Sequence, residues 1–204
     1  MKRKLLLLFF YILLINQLLA INEKTGLVLS GGGVKGLAHI GTLKVIDSLN
    51  INIDYIAGTS IGSIAAALYA SGYSADEIER ICYSTNWDEI FTKNRKRNHL
   101  FYFQKKIDEN YQLSFNVDNY KPTAPLGLTD GQYSYEYLAN LFNVYETIDN
   151  FDDMVIPFRC NAVDILSGEE VVFNSGSLSK GIRASTSIPS IFAPIEYDEY
   201  LLID

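Results

Sequence analysis

Twice within the first seventy residues, a short apolar run stops at a glycine-bearing turn and gives way to a helical pattern. Gly26-Leu27-Val28-Leu29 runs into Ser30-Gly31-Gly32-Gly33-Val34-Lys35-Gly36, and Asp54-Tyr55-Ile56-Ala57 runs into Gly58-Thr59-Ser60-Ile61-Gly62. After the first turn, Leu37, Ile40, Leu43 and Ile46 fall on one side of a helix expected over Gly36–Leu49. After the second, Ile61, Ile64, Ala65 and Leu68 recur at i, i+3, i+4 and i+7. Short apolar strands alternating with helices predict an α/β fold, with a central, mostly parallel sheet covered by helices on both faces.

Further elements follow. Ser74-Ala75-Asp76-Glu77 and Thr129-Asp130-Gly131-Gln132 both have the capping-box form and predict two helix starts. Val155–Ile165 and Glu170–Phe173 read as strands joined by a hairpin at Ser167-Gly168. Ser177–Ser185 reads as a short helix stopped before Pro189, and Tyr200–Ile203 as a last strand. Phe91–Pro125 mixes charge with aromatics and has no clear period.

Charge excludes one class of partner. The net charge is −7, and Lys2, Arg3 and Lys4 stand in a leader without acids, so the rest is more acidic still. Such a chain lacks the basic face that neutralises phosphates, and nucleic acid is set aside. The one basic run, Lys93-Asn94-Arg95-Lys96-Arg97, suits a solvated loop or anionic headgroups. Met1–Ala20 has the order of a secretory signal peptide: basic residues, the apolar run Leu5–Ile15, then polar Asn16 and Gln17 before Ala20. The expectation is export to the periplasm, outer membrane or medium, with residues 21–204 forming one domain. Cys82 and Cys160 leave open a disulfide or two free thiols.

The two turns carry the chemistry. In Gly58-Thr59-Ser60-Ile61-Gly62, a serine on a sharp strand-to-helix turn projects its hydroxyl above the sheet edge. Glycines two before and two after remove β-carbons that would clash across the turn. The consecutive glycines Gly31, Gly32 and Gly33 allow backbone N–H groups to converge on one anion. For the oxyanion of acyl transfer, each such donor lowers the barrier by about 3–4 kcal/mol. Lys35 either supports this loop electrostatically or only covers the surface. Gly31, Gly33 and Gly36 also match the dinucleotide-binding spacing. That alternative wants an acid at the end of the second strand, whereas Asp54 stands at its start. Neither His39 nor His99 follows Ser60 in the manner of a Ser–acid–His elbow triad, so the base is expected to be a carboxylate, with Asp204 well placed at a strand end.

Four segments together resemble the patatin-like phospholipases, of the exported bacterial type: Ser30–Gly36, Gly58–Gly62, Ile182-Arg183-Ala184-Ser185 with Ile188-Pro189, and Leu202-Ile203-Asp204. The resemblance implies a three-layer fold and hydrolysis of lipid acyl esters at a membrane surface; no cofactor is expected, calcium included, because no Asp/Glu-rich coordination loop appears. The resemblance also implies a Ser60–Asp204 dyad without histidine, an oxyanion loop of Gly31, Gly32 and Gly33, and motif support from Lys35, Gly36, Gly58 and Gly62. The family pattern continues Asp-Gly-Gly or Asp-Gly-Ala where this sequence stops at Asp204, so the domain is expected to be truncated there. A lipid- or partner-binding domain without activity is the reading from another class.

Overall fold

The computed structural model describes residues 24–91, 116–118, 121–123, 127–146 and 148–204. The leader Met1–Ala20, the basic run at 93–97 and His99 lie outside the described residues.

The sheet grows from three parallel strands. β1 (Gly26–Leu29) pairs with β2 (Tyr55–Thr59), Leu29 opposite Gly58. β2 pairs in turn with β6 (Phe158–Asp164), Gly58 opposite Cys160. Between them lie β3 (Asn116–Asp118) and β4 (Lys121–Thr123), which form a separate antiparallel pair, and β5 (Gly127–Thr129). β7 (Glu170–Phe173) folds back on β6 through the expected hairpin, where Gly168 takes φ 75°. β8 (Ser190–Phe192) pairs in parallel with β5. β9 (Ile195–Tyr197) and β10 (Tyr200–Ile203) complete the sheet, β10 running antiparallel to β6 with Ile203 opposite Val163.

This register has a consequence for the site. β7 occupies one edge of β6 along residues 160–163, so β2 and β10 both use the other edge. β2 climbs that edge to Thr59, opposite Asn161, while β10 descends it to Ile203, opposite Val163. The two strands meet end to end, and the next residue of each, Ser60 and Asp204, is brought to the same point.

The helices are α1 (Ala38–Ser48), α2 (Ile61–Ala70), α3 (Ala75–Ser84), α4 (Trp87–Phe91), α5 (Gln132–Leu141) and α6 (Leu178–Ser185). Since β1, β2 and β6 succeed one another in a single direction across the sheet, right-handed crossovers carry their connections over one face. That face is buried through Leu29, Ile56, Phe158, Cys160 and Ala162. On the opposite face Val28 is 76% exposed and Val172 54%. α2 is apolar nearly all round, with Ala66, Ala67 and Ala70 wholly buried, and these small side chains let it lie close to β2. Phe142, Phe151, Leu138 and Ile182 continue the core outward.

Three details depart from the sequence reading. The sequence predicts helices over both faces of the sheet, whereas those among the described residues lie over one and leave Val28 and Val172 exposed on the other. The helix expected over Gly36–Leu49 opens as a 3-10 turn, Gly33–Leu37, because the backbone leaves Gly32 and Gly33 at φ 152° and 55° and tightens before α1 begins. The capping box at Ser74–Glu77 forms, with Ser74 N–H donating to Glu77 Oε2 at 2.9 Å, but that at Thr129–Gln132 does not. Thr129 ends β5, and left-handed Gly131 is the residue that opens α5. Cys82 and Cys160 are free thiols.

Phe158 is fully buried and packs on Phe151 at a ring separation of 6.0 Å. Phe158→Ala is expected to destabilise the protein by about 3–5 kcal/mol. The exposed cap substitution Ser74→Ala should cost only about 1 kcal/mol. Urea unfolding of the two variants checks the ranking.

Candidate active site

Ser60 is the hinge between β2 and α2. Its backbone takes φ 54° and ψ −130°, a region that non-glycine residues rarely enter and that costs about 1–3 kcal/mol. Three hydrogen bonds hold it there. Ser60 N–H donates to Ser185 Oγ at 2.8 Å, and Ser60 O accepts from Ser63 N–H at 2.8 Å and from Ser63 Oγ–H at 2.6 Å. The turn is tight enough that a β-carbon on Gly58 would strike the Gly62 carbonyl, and one on Gly62 would strike the Leu29 carbonyl. Ser60 itself is only 4% exposed.

Asp204 arrives from β10, and its carboxylate Oδ2 accepts a short hydrogen bond from Ser60 Oγ–H. Its own N–H donates to Ser187 O at 3.0 Å. Burial pushes the Asp204 carboxyl above the usual carboxylate range, and the bond from Ser60 offsets part of that rise. A carboxylate made reluctant to stay charged is a stronger proton acceptor, which is the property a base next to a serine hydroxyl needs.

Both residues are therefore tied to the C-terminal end of α6, Ser60 through Ser185 and Asp204 through Ser187. That end is anchored by Arg183, which is 1% exposed. Its guanidinium donates to Ser187 Oγ, to Gly131 O at 3.3 Å and to Asp130 O at 3.2 Å, and lies 4.6 Å over the Phe192 ring. Burial lowers its pKa to about 10, which leaves it charged at neutral pH. Gly131 is required beneath it, since a β-carbon there would overlap the guanidinium. The sequence reading singled out Arg183 and Ser185 only as part of a resemblance and assigned them no task. The available signal was a cation following Leu178 and Ile182, residues spaced to face a core.

The glycine loop lies against the serine. A β-carbon on Gly31 would stand 3.1 Å from Ser60 Cβ and 3.9 Å from Ser60 Oγ. Among the described residues, no hydrogen bond engages the N–H of Gly31 or Gly32. Gly36 lets the 3-10 turn pack on Ile61, whose side chain occupies the space a β-carbon would need. Lys35 is exposed on that turn. His39 reaches the loop and not Ser60: its Nε2 lies 2.8 Å from Ser30 O.

A cavity of about 650 Å³ opens at Ser60 and Gly33. Its walls are apolar, formed by Ile61, Ile64, Leu138, Ile188 and Phe192 among others. A nucleophile-like serine thus stands where a carboxylate, a glycine loop and an alkyl-sized cavity converge.

Known proteins share sequence and fold with this chain. The patatin-like phospholipase family model matches residues 27–204. The lysophospholipase NTE1 of Lodderomyces elongisporus is 29% identical over 183 residues, covering 90% of this chain and 11% of its own length. That of Pyricularia oryzae is 30% identical over 182 residues, covering 89% of this chain and 10% of its own. The chain thus spans about one-tenth of the length of the curated relatives it matches. Among solved structures, VipD from Legionella pneumophila superposes with a TM-score of 0.55 at 13% identity, over 88% of this chain and 45% of VipD. ExoU from Pseudomonas aeruginosa, in its complex with SpcU, gives 0.50 at 20% identity, over 86% and 41%. These likenesses speak for the fold. With the match over 27–204, the chain belongs to the patatin-like phospholipase family.

Proposed function

We propose that this chain hydrolyses acyl esters of lipids, as a phospholipase A or lysophospholipase, through a Ser60–Asp204 dyad. The observation that carries the reading is the hydrogen bond from Ser60 Oγ–H to Asp204 Oδ2 at the mouth of an apolar cavity. Asp204 takes the Ser60 proton as Ser60 Oγ attacks the ester carbonyl. The N–H groups of the Gly31–Gly33 loop hold the oxyanion that forms. Collapse of the intermediate expels the alcohol, which leaves with the proton from Asp204. Water, deprotonated by Asp204, then attacks the acyl-enzyme, and Asp204 returns the proton to Ser60 Oγ as the fatty acid is released. The cavity walls take the acyl chain by apolar burial. We further propose that the Met1–Ala20 leader directs export and that the enzyme works at a membrane surface. N-terminal sequencing of the exported protein tests the leader, with cleavage after Ala20 expected.

The chemistry predicts three outcomes. A fluorophosphonate probe should label the wild-type chain and not Ser60→Ala; equal labelling of both would sink the nucleophile assignment. Asp204→Asn should lower kcat/KM for a short-chain ester by about 10²–10⁴-fold. The acid limb of the wild-type kcat/KM profile should lie above the ordinary aspartate value of about 3.9, since the proton must leave a carboxyl whose pKa burial has raised. The same burial makes the charged form a liability for folding. A carboxyl whose folded-state pKa exceeds its unfolded value contributes stability below the unfolded pKa and loses it as pH rises through the folded one. Asp204→Asn is therefore expected to melt no lower than wild type at pH 7 while losing activity; thermal unfolding reads this directly.

A further inference from the structure

The cavity at Ser60 adjoins a second, smaller cavity of about 40 Å³, and the two share Leu37, Ile61, Ile64, Trp87 and Tyr137 as a common wall. Beyond that wall the lining continues apolar, with Ile40, Leu68, Ile78, Ile81, Cys82 and Leu141. The polar atoms on the common wall have partners of their own. Trp87 Nε1–H donates to Cys82 O at 3.0 Å, and the Tyr137 and Thr85 hydroxyls lie 2.6 Å apart. Thr85 Oγ1 also bonds to Ile81 O at 2.7 Å, which fixes the tyrosine partner from behind. Burial pushes the Cys82 thiol up, so it stays neutral. What both chambers offer a ligand is hydrocarbon, and a linear alkyl chain leaving Ser60 is what fits them.

We propose that Trp87 and Tyr137 form the floor of an acyl-chain site and that the small chamber adjoining them is an extension of it. On this assignment, which rests on the acyl-hydrolase reading above, the indole of Trp87 sets the longest acyl tail the site accommodates. The adjoining chamber has room for only a few water-sized groups, at about 10–15 Å³ each, so a tail ends at the floor while the indole is in place. Trp87 opens the short helix α4, apart from β2, β10 and the end of α6 that hold Ser60 and Asp204. Chain-length preference and bond cleavage are therefore set by different elements of the fold.

The test is chain-length dependence measured with and without chemistry. Binding of saturated fatty acids of increasing length to the full chain carrying Ser60→Ala, followed by calorimetry, should tighten about fourfold per added methylene until the tail meets the floor, then level off. Adding Trp87→Ala should move that break to longer tails by several methylenes. Trp87→Leu should move it less, and it provides the same reading if the alanine variant does not fold. Adding Ile81→Phe to Trp87→Ala refills the adjoining chamber and should bring the break back. A break that stays in place in both Trp87 variants overturns the proposal. Hydrolysis of p-nitrophenyl esters across the same lengths separates this proposal from the reading it rests on. A shifted break in binding with no ester cleaved by wild type would uphold the chamber and overturn the hydrolase. Cleavage by wild type with the break unmoved would uphold the hydrolase and overturn the chamber.

Discussion

The bond between Ser60 and Asp204 depends on two strand ends sharing one edge of β6. β2 arrives in parallel and β10 antiparallel, and β7 keeps both off the opposite edge. β2 ends where Gly58 and Gly62 permit a turn too tight for β-carbons, and the Asp204 N–H is held by the Ser187 carbonyl. A slip of one residue in either register would turn the side chain to the other face of the sheet. The hydroxyl and carboxylate meet because the sheet permits only one alignment.

The cost of that meeting is borne by the end of α6. Ser60 is held in a disfavoured backbone conformation, and Asp204 is partly stripped of water. Either state would relax without outside support. Ser185 and Ser187 supply it, and Arg183 fixes Ser187 by donating to its hydroxyl and to the carbonyls around it. A buried guanidinium is costly unless its hydrogen bonds are made, so the loop at Asp130-Gly131 and α6 hold one another in place. Strain at the serine is thus carried by a polar cluster on a neighbouring helix, while the apolar cavity on the other side remains free for a ligand.

Much of this was legible in advance where the signal was local. Gly58-Thr59-Ser60-Ile61-Gly62 announced its turn because the steric demand lies within five residues. The hairpin at Ser167-Gly168, the cap at Ser74 and the helix after Ser177 were equally local. Thr129–Gln132 misled because a capping-box pattern says nothing about the strand before it: β5 claims Thr129 by pairing with β8, and Gly131 is needed under Arg183. The start of α1 was blurred for a related reason, since the dihedrals of Gly32 and Gly33 are set by the loop's approach to Ser60.

The sequence by itself determined the α/β alternation, the serine turn and the glycine loop. All of these follow from neighbouring residues. Only the tertiary structure decided that Asp204 meets Ser60, that the serines after Arg183 brace both, and that Trp87 lines two adjoining apolar cavities. Those contacts join residues far apart in the chain, and their geometry follows from strand register and helix packing, which no short stretch of sequence encodes.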